Sequence, residues 1–206
     1  MNKRGKFIVF EGIDGSGKST QLALLAEKMR QCGMPVATSC EPSDGEIGKL
    51  LRRVLKGEIK TNDEAIAALF LADRMDHIRR EEDGLLALLE AGNTVLCDRY
   101  YFSSYAYHSV SMDMDWVIAA NRIAADRLRP DLTIFLDSSV EESYARITAS
   151  REDIEIFETK ERLAVTRQKY LEAIDKQKTK EKIVVLDASR SVDAIAEEIW
   201  ALLAPN

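Results

Sequence analysis

At 206 residues, 46% hydrophobic and 31% charged, the chain has the size and composition of one compact domain with a substantial core. A formal net charge of -6 sets it apart from duplex nucleic-acid binders, which carry a basic face, yet leaves room for local basic pockets that take small anions. Three scattered cysteines (Cys32, Cys40 and Cys97), no CxxC pair and two histidines argue against a disulfide framework or a zinc cage, and no apolar run reaches the length of a membrane span.

These features predict a protein of the reducing cytoplasm with no nucleic-acid or membrane partner. The basic start MNKRGK leads into an apolar run too short for a signal sequence, followed at once by glycines. That run, KFIVF (6–10), reads as a buried strand. A helix is expected over Ser19–Gln31, with Gly33 as its stop, and a strand at PVATS (35–39). A short basic helix over Ile47–Leu55 follows, then helices over Asp63–Arg80 and Glu81–Ala91, the second closed by Gly92. TVLCD (94–98) is a third strand, Asp115–Leu128 a helix ending before Arg129-Pro130, and LTIFLD (132–137) a fourth strand. Helices over Ser139–Thr148 and Thr159–Lys178, a strand at KIVVLD (182–187) and a helix over Ser191–Leu203 complete the chain. Continuous apolar strands alternating with helices predict an α/β domain whose parallel sheet is covered on both faces. Most of the charged segment between Glu141 and Lys182 reads as solvated helical surface.

The first strand runs into Glu11 and then Gly12-Ile13-Asp14-Gly15-Ser16-Gly17-Lys18-Ser19-Thr20, a complete GxxxxGK[ST] between a strand and a helix. Phosphate binding explains each residue type. Glycines let successive backbone N–H groups converge on one concavity, and the helix N-terminus adds its dipole. Lys18 brings a mobile charge for the β- and γ-phosphates, and the Ser19 hydroxyl is a ligand for Mg²⁺. The third strand ends in Cys97-Asp98-Arg99-Tyr100, which puts a carboxylate, Asp98, where it can face that same ion. On the helix over 63–80, Ile66, Leu69 and Phe70 begin an apolar stripe. Its next positions are Asp73, Arg74 and His77, so the stripe runs from the core into a polar pocket with Phe70 at the border.

FEGIDGSGKST, EP at 41–42 followed by EIGKLLR, LFLADRMDHI, CDRYYFSSYAY, RPDLTIFLD and VVLDASRS occur in an order and spacing that resemble the thymidylate kinase family over nearly the whole chain. The resemblance implies the P-loop NTPase fold, a five-stranded parallel sheet wrapped by helices. It implies one kinase domain over residues 1–206, a small lid at about 146–158, and usually a homodimer. The implied reaction moves the γ-phosphoryl group of ATP to dTMP, giving dTDP and ADP, with Mg²⁺ present. Asp14 then resembles the carboxylate that engages the acceptor 3′-hydroxyl, and Arg99 the arginine that grips the acceptor phosphate. Tyr107 falls under the deoxyribose, Ser104 near the thymine edge, Ser103 among the dTMP-binding residues, and Glu41 toward the acceptor or a Mg²⁺-bound water. Phe70 takes the position that stacks on thymine, and Arg74, one turn on, that of a ligand to the acceptor phosphate. His108 replaces a common glutamine and reads as structural, and Ser43-Asp44-Gly45 replaces two glycines and a threonine.

The cradle holds no arginine, so the resemblance implies that the extra positive charge comes from the lid. Arg146 matches the arginine that packs on adenine, and Arg151 the one that acts at the phosphates; Ser189 and Arg190 fall in an adenine-side loop. Plainer roles stand beside these: Arg99 as an ion-pair partner of Asp98 or a nearby carboxylate, Tyr107 in the core, Arg146 or Arg151 as solvated helix arginines. Another nucleoside monophosphate or deoxynucleoside kinase is the alternative reading. A P-loop switch is less favoured, since no NKxD follows the cradle, the third strand gives DRYY rather than DxxG, and LSGGQ is absent.

Overall fold

The structure, a computed structural model, describes residues 4–150 and 159–203. Strands β1 (Phe7–Glu11), β2 (Val36–Cys40), β3 (Thr94–Asp98), β4 (Leu132–Asp137) and β5 (Ile183–Asp187) form one parallel sheet in the order β2-β3-β1-β4-β5. β1 lies at the centre because both of its faces are apolar. Phe7 and Val9 enter one core cluster, Ile8 and Phe10 the other.

Helices α1 (Lys18–Gln31) and α9 (Val192–Leu203) cover one face through Leu22, Leu25, Met29, Ile195 and Ile199. The other face carries α3 (Asp63–Arg79), α4 (Leu85–Glu90), α5 (Tyr101–His108), α6 (Met114–Arg127), α7 (Val140–Ser150) and α8 (Lys160–Gln177). Helix α2 (Glu46–Leu55) packs Leu51 and Val54 against Ile66 of α3, with Phe70 at the edge of that small cluster. Side-chain caps start α3, α6 and α8: Asn62 accepts from the Ala65 amide and Asp113 from that of Trp116, each at 2.8 Å, and Thr159 from that of Arg162 at 3.3 Å.

Strand positions follow the sequence expectation within a residue; two helical segments do not. α5 is not among the expected helices, because YFSSYAYH is buried on nearly every side and so lacks an amphipathic period. The expected helix over Glu81–Ala91 shortens to α4, because Gly84 takes the N-cap position and residues 81–83 form a turn.

The register brings the carboxyl ends of three strands level, pairing Asp98 with both Phe10 and Cys40. β3 and β2 lie on one side of β1, β4 and β5 on the other, so the connections diverge above β1. A crevice at the carboxyl edge of the sheet follows from that topology.

Candidate active site

Residues 12–17 close over the end of β1 as a concave loop. Gly15 (φ +76°) and Gly17 (φ +93°) adopt left-handed backbone. At Gly15 a Cβ would also lie 2.3 Å from the Ser143 carbonyl oxygen, so the loop and α7 touch in a way only glycine allows. Lys18 is buried and donates from Nζ to the Ile13 carbonyl at 2.9 Å. Burial, and next the Arg99 charge, lower its pKa to about 8.

At the exit of the loop the Ser19 hydroxyl donates to Asp98 Oδ2 at 2.6 Å. The other oxygen, Asp98 Oδ1, is buried with no hydrogen-bond partner among the described residues. Two hard oxygen donors, one of them orphaned, suit Mg²⁺, which takes few protein ligands and completes its shell with water and phosphate. No cluster of three or more His, Cys, Asp or Glu that could cage a metal exists among the described residues.

Two cavities open here and meet. The larger, about 460 Å³, is lined by the loop together with Glu41, Asp98, Arg99 and Arg146. The smaller, about 100 Å³, lies between α3 and α5 and is lined by Phe70, Ser103, Ser104, Tyr107 and His108 among others. Asp14 and Arg99 belong to both. Arg99 sits at φ +72°, where a residue other than glycine is strained. Its amide donates to the Phe10 carbonyl at 2.9 Å, and its Nη2 donates to Asp14 Oδ1 at 2.5 Å and to the Tyr107 hydroxyl at 3.1 Å. Tyr107 in turn donates to Asp14 Oδ2 at 2.6 Å. Burial alone would raise the Asp14 pKa; Arg99 and Lys18 outweigh it and hold the carboxyl down at about 2. The ion pair of Arg99 is therefore with Asp14, not Asp98.

A thymidylate kinase family model matches residues 10–199, which include the loop, both cavity walls and all five strands' carboxyl ends. The chain belongs to the thymidylate kinase family. A protein of Methanococcus aeolicus named "Probable thymidylate kinase" is 41% identical over 198 residues, covering 94% of this chain and 93% of its own. A "Probable thymidylate kinase" of Pyrococcus horikoshii is 39% identical over 206 residues, 97% and 96% of the two chains. A "Thymidylate kinase" of Desulfotalea psychrophila is 39% identical over 164 residues, 79% and 78%.

Within this thymidylate kinase fold, Phe70 is half-buried and lines the smaller cavity, its ring 5.1 Å from that of His108. Arg74 is placed differently from the sequence expectation. It is fully buried, and all three of its guanidinium nitrogens are engaged. Nε and Nη2 reach Glu41 Oε2 at 2.8 and 2.7 Å, Nη1 reaches Ser104 Oγ and Asn121 Oδ1, and Nη2 also reaches the Tyr100 carbonyl. Its nitrogens are turned to these partners rather than to an acceptor phosphate, and the residue lines neither cavity. Glu41 is likewise turned inward: it lines the larger cavity, but its carboxylate holds Arg74 and lies 3.3 Å from His77 Nδ1. Together the pair braces Ser104 from below.

Arg146 spans the larger cavity and a third one of about 200 Å³ beside Arg190, Thr20 and Val192. It donates to the Gly15 carbonyl at 3.2 Å. Arg190 is ion-paired with Glu198 at the rim of that third cavity. Ser189 lines none of these three cavities, and its amide donates to Asp187. Arg151 lies outside the described residues.

Two site residues had no place in the sequence reading. Glu11, at the end of β1, accepts from the amides of Tyr100 and Ser103, from Ser103 Oγ and from Tyr170 Oη. Tyr170 of α8 is fully buried, and its hydroxyl also lies 3.3 Å from Arg99 Nη1. A carboxylate closing a wholly apolar strand was the signal for the first. The second was signalled by buried positions 163, 166, 170, 173 and 177, a helical stripe inside the charged segment read as surface.

Proposed function

We propose that this chain transfers the γ-phosphoryl group of ATP to dTMP, giving dTDP and ADP. The observation that carries the reading is the meeting of two cavities at Asp14 and Arg99, in front of Lys18. The larger takes the triphosphate and the smaller the acceptor nucleotide. Such transfer rests on in-line positioning and charge neutralisation, with no covalent phosphoenzyme. Lys18 moves from the Ile13 carbonyl to the β- and γ-phosphates. Arg99 exchanges part of its hold on Asp14 and Tyr107 for the acceptor phosphate, whose own oxygen is the nucleophile. Asp14, kept ionised, accepts the 3′-hydroxyl; Tyr107 lies under the deoxyribose and Phe70 stacks on the base. Ser19 and Asp98 would hold Mg²⁺, which would supply charge neutralisation to the transferring phosphoryl group.

Arg146 and Arg190 flank the adenine, and Arg151 completes the charge at the phosphates from a lid at about 146–158 of a single kinase domain. We further infer a cytoplasmic homodimer. Three unpaired thiols suit a reducing compartment, and no described helix is long and apolar enough to cross a membrane. On α6, Trp116 and Ile123 lie seven residues apart and are 52% and 55% exposed, an apolar stripe suited to a partner.

A coupled assay of ADP release with dTMP, dUMP, CMP, AMP and thymidine tests the reaction. Turnover should be fastest with dTMP, weaker with dUMP and poor with ribonucleotides. A faster acceptor would replace dTMP, and ADP release without acceptor dependence would remove the kinase reading.

A further inference from the structure

Glu11 closes β1 immediately before the phosphate loop, is buried, and lines neither cavity of the site. A carboxylate is costly there: burial pushes its pKa up, and its hydrogen bonds and the Arg99 charge only partly offset that. Everything it holds lies beside Arg99. Arg99 keeps a strained φ of +72°, and such backbone persists only where its surroundings over-determine it. The Arg99 amide donates to the Phe10 carbonyl at 2.9 Å, and the next amide, that of Tyr100, to Glu11 Oε1 at 2.8 Å. Glu11 Oε2 accepts from Ser103 Oγ at 2.7 Å and from Tyr170 Oη at 2.9 Å. Those same two oxygens lie 3.1 and 3.3 Å from Arg99 Nη1. A hydroxyl has one proton to give. With both protons spent on Glu11, the lone pairs of Ser103 and Tyr170 are left for the guanidinium.

We infer that Glu11 is a positioning residue for the transfer reaction, fixing the backbone and the Nη1 edge of Arg99 without touching a substrate. The inference deepens the thymidylate reading and rests on it. Asp14 and Tyr107 hold the other edge, Nη2, so the guanidinium has one anchored arm and one that exchanges for the acceptor phosphate. A fork already set in this way meets the phosphate with little ordering cost and keeps it in line with the γ-phosphoryl group. Glutamine matches glutamate in shape but puts an NH₂ group where one acceptor oxygen stood. Its oxygen still serves the Tyr100 and Ser103 amides. Its NH₂ group takes the lone pairs of Ser103 and Tyr170 and turns their protons toward Arg99.

Steady-state kinetics at neutral pH, with urea unfolding alongside, separate positioning from a purely structural role. Glu11→Gln should lower kcat/KM for dTMP about tenfold and leave KM for ATP unchanged. Action through Arg99 further requires that the loss disappear once that arginine is gone. Arg99→Lys combined with Glu11→Gln should therefore be no poorer with dTMP than Arg99→Lys alone. If Glu11→Gln does not fold, Tyr170→Phe takes its place in the same cycle, since it removes one hydroxyl and leaves both amides on Glu11. Full activity, equal losses for both substrates, or an undiminished loss in the Arg99→Lys background overturns the inference alone. A wild-type protein that does not phosphorylate dTMP overturns it together with the thymidylate reading.

Discussion

Burial and the Arg99 charge both oppose protonation of Lys18, which brings its pKa to about 8 in the free protein. A triphosphate beside Nζ reverses that balance. The sign follows from linkage. Below about pH 8 the buried ammonium costs the free protein stability, and the cost fades as pH rises toward the ordinary lysine value, where the unfolded chain holds the extra proton. ATP binding runs the other way and weakens as the ammonium is lost. Accordingly kcat/KM for ATP should fall with unit slope above about pH 8, and Lys18→Ala should lower turnover roughly 10²–10³-fold and abolish that limb. A flat profile to pH 10 would show that Nζ does not meet the phosphates. Arg74 and Phe70, one turn apart, separate two kinds of loss. Arg74→Ala strands the buried Glu41 carboxylate and should cost about 3–5 kcal/mol in denaturant unfolding. Phe70→Ala should leave stability nearly intact and weaken dTMP about tenfold, far more than ATP. An intact Arg74→Ala protein with only a raised KM for dTMP would restore its phosphate role.

Between β1 and the acceptor cavity the couplings run through α5 and α8. Glu11 fixes the first turn of α5, and Tyr170 from α8 reaches the same carboxylate and Arg99. Tyr170→Phe removes one hydroxyl shared by Glu11, Ser103 and Arg99, with the ring still packed on Phe135 at 5.1 Å. The expected outcome is a several-fold drop in kcat/KM for dTMP, KM for ATP unchanged, and a loss of about 1 kcal/mol in stability; equal effects on both substrates would assign Tyr170 to the core alone. How far such couplings were legible depends on the period each element shows. The strands were readable because burial on both faces demands continuous apolar runs, and the phosphate loop because its backbone geometry demands glycine at fixed spacing. α5 was not, since a helix buried all round has no polar face to mark it. Arg74 and Phe70 were readable as neighbours. Which way the arginine turned was not, because Glu41, Ser104, Asn121 and Tyr100, which decide it, lie 26 to 47 residues away in sequence.

At the scale of the whole molecule, the exposed stripe of α6 is tied to the acceptor cavity through Asn121, Arg74 and Ser104. Asn121 faces inward and holds Arg74 Nη1, while Trp116 and Ile123 face solvent. A partner subunit on that stripe would therefore set the position of α6, and through Asn121 and Arg74 the floor under Ser104. The phosphate loop rests on β1, α1 and α7, and no hydrogen bond of α6 among the described residues reaches it directly. Sedimentation should find a dimer of the 23.2 kDa chain at micromolar concentration. Glutamates at both positions, Trp116→Glu with Ile123→Glu, put charge in the buried centre of an interface and should give a monomer. If α6 carries the coupling, that monomer binds dTMP several-fold more weakly while its ATP affinity holds. A double variant that stays dimeric would move the interface off α6. A monomer with unchanged dTMP affinity would show that Asn121 keeps its place without the partner, so that the acceptor site is complete in one chain.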